Sequence, residues 1–192
     1  MTKTILIAGG TSGIGLETAR SLVSQGDDVY CACRSPESLP DHPRIHPLAF
    51  DALTVDDAAL DLPAQLDGFV YFPGTITLKP FHRVSPEEFI TDFQVNFVGA
   101  TTLLQRALPA LRQGQDASAV FFSTVAVQTG LPFHTSISAA KGAIEGLTRS
   151  LAAELAPTVR VNCIAPSLTD TPLAASLLNT EEKKEASAKR HA

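Results

Sequence analysis

Short apolar runs alternate with longer amphipathic stretches along most of the chain. Residues 4–8, 29–33, 45–50, 69–72, 119–123 and 159–165 have strand length and are apolar almost throughout. Runs without an inside–outside alternation mark strands covered on both faces, so the pattern predicts a parallel sheet with helices on either side. Leu16, Ala19, Leu22 and Val23 share one helical face, which predicts a first helix opening near Gly13 and closed by Gly26. Ser85, Pro86 and Glu88 make a capping box with proline at the first helical position, followed by Phe89, Phe93 and Phe97 at four-residue spacing. Ala140, Ile144, Leu147, Leu151 and Leu155 predict a further helix over 138–155, stopped by Pro157. The charged tail from Thr180 reads as a solvated helix or a frayed end. No repeat or linker interrupts this order, and residues 1–192 read as one α/β domain.

Composition narrows the picture. At 192 residues and 44% hydrophobic content the chain can close one core, and with 6% aromatics and no Trp that core is aliphatic. Fifteen Lys and Arg against twenty Asp and Glu give a net charge of −5, with no basic stripe to follow a phosphate backbone, so a nucleic-acid partner is not expected. No run approaches the roughly 18 apolar residues of a membrane span. No signal pattern follows Met1. These readings predict a soluble, cytoplasmic protein with no membrane partner. The odd count of three Cys lacks zinc-ligand spacing, while Cys31 and Cys33 point to one side of a strand; buried, reduced thiols and no metal site are expected.

The densest chemical signal is Ala8-Gly9-Gly10-Thr11-Ser12-Gly13-Ile14-Gly15, between the first strand and the first helix. Glycines there permit a tight turn that brings backbone N–H groups and a helix N-terminus against a pyrophosphate. A merely tight strand-to-helix turn is the plain alternative, but the order strand, loop, helix is the one dinucleotide binding requires. No Gly-Lys-Ser/Thr follows, which argues against an ATP-type loop.

From this loop onward the chain resembles the short-chain dehydrogenase/reductase family, whose signature here is Thr-Gly-x-x-x-Gly-x-Gly. Ala8 replaces the Thr, while Gly9, Gly13 and Gly15 fit. The likeness continues through Asp51, Gly74, Asn96, Lys141, Asn162 and the segment from Pro166 to Thr171. It implies a doubly wound Rossmann fold with strand order 3-2-1-4-5-6 and a nicotinamide cofactor seated where the order reverses. Thr11, Ser12 and Ile14 would complete the phosphate loop, Asp51 would meet the adenine, and Pro166, Leu168 and Thr171 would hold the carboxamide. Ser167 stands where the family usually has Gly. The usual ribose-binding Asp is replaced by Cys33, followed by Arg34. A guanidinium at this point suits a 2′-phosphate, so NADP(H) is expected over NAD(H), unless Arg34 is simply a solvated surface residue.

The resemblance also implies hydride transfer between the nicotinamide and a small-molecule carbonyl or alcohol. In the family a Tyr exchanges the proton, and a Lys four residues later lowers its pKa and binds the ribose. A Ser polarises the carbonyl, and an Asn in the long helix anchors a relay water. Lys141, Thr124 at the Ser position and Asn96 match, but Ile137 occupies the Tyr position. Tyr30 and Tyr71 lie in strands on the adenosine side, and His134 is a loop candidate for the missing donor. Tyr71-Phe72-Pro73-Gly74 departs from the family's Asn-Asn-Ala-Gly, and family members usually run about fifty residues further, which would leave the sixth strand at the sheet edge. Two functions follow as expectations: an NADP(H)-dependent oxidoreductase with weak activity, or a noncatalytic NADP(H)-binding or scaffolding protein. Leu131, Phe133, Leu173 and Leu177 are candidates for an apolar substrate wall or for core. A homo-oligomer formed through the long helices is also implied.

Overall fold

The computed structural model describes residues 2–54 and 60–189. Six strands form one parallel sheet: β1 (Thr4–Ala8), β2 (Asp28–Cys33), β3 (Ile45–Ala49), β4 (Gly68–Tyr71), β5 (Ser118–Phe122) and β6 (Arg160–Ile164), in the order β3-β2-β1-β4-β5-β6. The order reverses between β1, which pairs with both β2 and β4, and its neighbours, so the ends of β1 and β4 open a crevice. Beyond β5, β6 is the outer strand, as the sequence led us to expect.

Side chains on β1 alternate between two packed faces. Ile5 and Ile7 join Val29 and Cys31 beneath α1 (Gly13–Ser24), where Ala19, Leu22 and Val23 meet them. Leu6 and Ala8 point the other way, into the larger core with Phe69, Tyr71, Ala119 and Phe121. That core is covered by α3 (Gly99–Leu111) and α5 (Thr135–Leu155). A short helix α4 (Ala126–Thr129) follows β5, and α6 (Glu181–Ala188) is capped by the Thr180 hydroxyl, which accepts from Lys183 N–H at 3.3 Å. Residues 190–192 of the charged tail lie outside the described residues. Among the described residues no helix is long and apolar enough to cross a membrane.

Two local expectations are corrected. Helix α5 begins at Thr135 rather than at residue 138, with His134 in the cap position. The helix that starts at Pro86 has both halves of its capping box, but α2 (Pro86–Phe93) passes into α3 through a π-helical turn at Gln94–Val98. Across this junction Asp92, Val95, Asn96 and Ala100 face inward, while Phe93 is exposed. Phe93 and Phe97 stack on one another, ring centroids 4.8 Å apart. Further along, Ala107 and Leu111 are fully buried, which assigns them to the sheet side.

Candidate active site

The glycine loop is built as its sequence requires. Gly9 and Gly13 have φ of +81° and +54°, a region that only glycine enters without strain. A Cβ on Gly15 would lie 2.2 Å from the Gly9 carbonyl oxygen, so no side chain fits where α1 turns beneath the loop. Gly9 N–H donates to the Ala32 carbonyl at 2.9 Å and ties the loop to β2. The Ser12 side chain makes no capping bond and the first turn of α1 carries no acidic residue, which leaves its N–H groups to an external acceptor. Thr11 and Ile14 are half-buried in this turn.

The ends of the other strands converge on this loop. Cys33 is buried and turned inward, its thiol 3.8 Å from the Cys31 carbonyl, whereas Arg34 is exposed just beyond it. Asp51 closes a small turn after β3 by accepting from Leu53 N–H at 3.0 Å. Thr171 packs against Gly13, where a Cβ would lie 3.4 Å from its side chain. The Pro166 carbonyl accepts from Val125 N–H at 3.2 Å, which joins the loop after β6 to the loop bearing Thr124. Leu168 is exposed on that segment, and Thr124 Oγ1 accepts from Ala126 N–H at 3.3 Å.

Gly74, Asn96 and Lys141 meet at one point. A Cβ on Gly74 would lie 3.0 Å from Asn96 Oδ1 and 3.7 Å from Lys141 Nζ. Asn96 Oδ1 is a buried acceptor with no partner among the described residues. Burial lowers the Lys141 pKa to about 8, against a smaller opposite influence of the Cys163 thiol. One turn earlier on α5, Ile137 is 5% exposed, so its side chain lies in the wall and not in open solvent. His134 Nδ1 lies 2.7 Å from the Pro132 carbonyl and must donate to it, which leaves Nε2 as the acceptor in the neutral ring. None of Leu131, Phe133, Leu173 and Leu177 is buried, which removes the core alternative for them.

Asp92, Thr75 and the fastening role of Tyr71 were missed from sequence. The signal for the first was a charged residue four positions before Asn96 on an otherwise apolar helix face. In place of the family's Asn pair, the Tyr71 hydroxyl donates to the Val95 carbonyl at 2.7 Å, and Phe72 stacks on Phe122 at 4.8 Å between ring centroids.

A parallel sheet in this order, with a glycine loop under its switch point and a lysine beside it, defines a doubly wound Rossmann protein. Residues 3–182 match the model of the short chain dehydrogenase family, and the chain belongs to that family. It is 34% identical to a 3-dehydrosphinganine reductase of Arabidopsis thaliana over 88% of this chain, and spans 55% of that relative's length. A tropinone reductase homolog of the same plant is 31% identical, with 96% of this chain and 76% of the relative covered. A short chain dehydrogenase from Escherichia coli solved with NADPH superposes with a TM-score of 0.85 at 28% identity, covering 95% of this chain and 84% of that one.

Proposed function

We propose that the chain is one NADP(H)-binding unit, a cytoplasmic oxidoreductase of carbonyl or alcohol substrates whose hydride transfer is weak. Two features support the cofactor: the Gly9 to Gly15 loop has the close-packed, positive-φ glycines of a phosphate-binding turn, and Asn96 Oδ1 is a buried acceptor with no partner among the described residues. Gly9, Thr11, Ser12, Gly13, Ile14 and Gly15 would hold the phosphates, and Arg34 the 2′-phosphate. Asp51 would meet the adenine, and Gly74, Pro166, Leu168 and Thr171 the nicotinamide end. NADPH, when bound, supplies the hydride. The NADPH in the Escherichia coli relative supports the choice of cofactor.

One observation carries the reading of weak activity: the side chain one turn before Lys141 is a buried isoleucine. An aliphatic group can neither donate nor accept a proton, and losing a positioned acid/base removes roughly a hundred- to ten-thousand-fold of rate. Thr124 can still donate to a carbonyl oxygen, and Lys141 and Asn96 can still orient a ribose hydroxyl. The same observation favours a second reading, a noncatalytic NADP(H)-binding protein.

Titration with NADPH, NADP⁺ and NADH, followed by assay of aldehydes, ketones and alcohols with unaltered protein and Ile137→Tyr, tests both. NADPH should bind more tightly than NADH, and Arg34→Ala should lose about tenfold of that preference. Equal binding of NADH would remove Arg34 from the site. Ile137→Tyr should raise turnover, because the phenol would share a helical face with Lys141. Robust turnover in the unaltered protein that survives His134→Ala would overturn the reading of weak activity. NADPH binding without turnover in either form would select the noncatalytic one.

A further inference from the structure

Three buried side-chain atoms lack a hydrogen-bond partner among the described residues: Asp92 Oδ2, Asn96 Oδ1 and Ser136 Oγ. They lie on α2, the π-helical turn and the first turn of α5. Two of them belong to one oriented chain. Asp92 is 1% exposed, and its Oδ1 accepts from the Thr75 hydroxyl and, at 3.1 Å, from the Thr77 hydroxyl. Thr75 Oγ1 in turn accepts from Asn96 Nδ2 at 2.9 Å, and the same amide donates to the Asp92 carbonyl at 2.8 Å.

We infer that Asp92 is a positioning residue which, through Thr75 and together with its own main-chain carbonyl, fixes the Asn96 amide with Oδ1 facing the space beside Gly74 that Lys141 Nζ shares. The direction follows from proton counting. Asp92 Oδ1 is only an acceptor in this contact, so the single hydroxyl proton of Thr75 is committed to it. The Thr75 oxygen must then receive a donor, and the Asn96 side chain can meet it only with its NH₂ end. Oδ1 is left pointing the other way, toward Gly74. A hydroxyl placed there donates to Oδ1 and accepts from Nζ, so the carboxylate on α2 sets which end of a ligand hydroxyl the pocket reads. This use of the pocket rests on the function proposed above; the amide orientation does not.

An NMR titration of the Lys141 side chain in ligand-free protein tests the inference without cofactor. An amide oxygen facing the ammonium favours its charged form, and an NH₂ group disfavours it. The other titratable group acting on Lys141 is Cys163 on β6, so the titration is repeated in Cys163→Ser. Glu145 on α5 is engaged by Ser123 at 2.7 Å and by Arg149 at 3.8 Å. Asp92→Asn can offer its own NH₂ to Thr75, which frees the Thr75 hydroxyl to turn and leaves the Asn96 amide held by the Asp92 carbonyl alone. The Lys141 midpoint should then fall. Thr75→Val should do the same if Asp92→Asn folds poorly. Thr77→Val removes a bond to Asp92 but none to Asn96, and should leave the midpoint in place. An unmoved midpoint in both Asp92→Asn and Thr75→Val, or an equal fall in Thr77→Val, would overturn the inference. A second measurement reads its use: Asp92→Asn should weaken NADPH about tenfold and leave 2′,5′-ADP, which lacks the nicotinamide ribose, within about twofold. If the unaltered protein binds neither nucleotide, the proposed function fails while the titration still decides the role of Asp92.

Discussion

An ammonium group held away from water gives up its proton more readily, and Lys141 is so held, with a pKa lowered from 10.5 to about 8 by burial. The unfolded chain therefore binds this proton more strongly than the folded one between pH 8 and 10.5. The resulting penalty on folding is complete below pH 8 and fades as the pH rises toward 10.5. Its size is roughly 3 kcal/mol, from about 1.4 kcal/mol per pH unit. Lys141→Met should thus stabilise the ligand-free protein at pH 7 by up to that amount, and the gain should vanish near pH 11. Urea unfolding of both proteins at pH 7 and pH 10 measures it. The same variant should bind NADPH less well, so stability and binding move in opposite directions. The glycine loop was legible from its place between the first strand and the first helix, while Lys141 was picked out only through the family resemblance of the run around it. The orientation of Asn96 was not legible, since it depends on a carboxylate and a hydroxyl brought together only by folding.

Among the elements, the strands were the most readable. Their apolar runs fall within one or two residues of the observed limits; the inner strands are packed on both faces, and the edge strands β3 and β6 carry exposed or polar positions such as His46, Arg160 and Asn162. The helix from Pro86 was readable at its start, where the Ser85 and Glu88 box is local, and unreadable in its middle. Nothing in Gln94–Val98 announces a π turn, and within it the Val95 carbonyl accepts from the Tyr71 hydroxyl on β4 at 2.7 Å. Tyr71 is buried, and burial raises its pKa, so it remains a neutral donor at every ordinary pH. Tyr71→Phe should leave that carbonyl buried and short of a donor, at a cost of about 1–3 kcal/mol in thermal or urea unfolding. Because the turn also carries Asn96, NADPH affinity should fall in the same variant. An unchanged affinity would separate the tether from the site.

For the whole molecule, the outward face of α2 stands out, with Ile90 67% exposed and Phe93 beside the Phe97 ring. Large apolar side chains gathered on one helix face are the usual substance of an interface between copies. We expect a dimer at tens of micromolar protein in sedimentation, and a shift toward monomer in Ile90→Ser with Phe93→Ser. The thermal transition measured at low concentration should not change. A strict monomer before substitution would leave the long helices without this role.

Cys31 lies fully buried directly beneath the nucleotide loop, and a Cβ on Gly10 would come within 2.9 Å of its sulfur. Burial, with the neighbouring Cys33 adding to it, pushes the thiol up to about 12, so only roughly one molecule in ten thousand holds the reactive thiolate at pH 8. Alkylation must then wait for the loop to lift, which makes the sulfur a clock for loop opening. The half-buried Cys163 should label first and mark general reagent access. Any molecule that seats on the glycine loop should slow the Cys31 clock, whether or not chemistry follows. Peptide mass spectrometry after timed exposure to iodoacetamide would read occupancy from the inside of the protein, with no need to know the substrate.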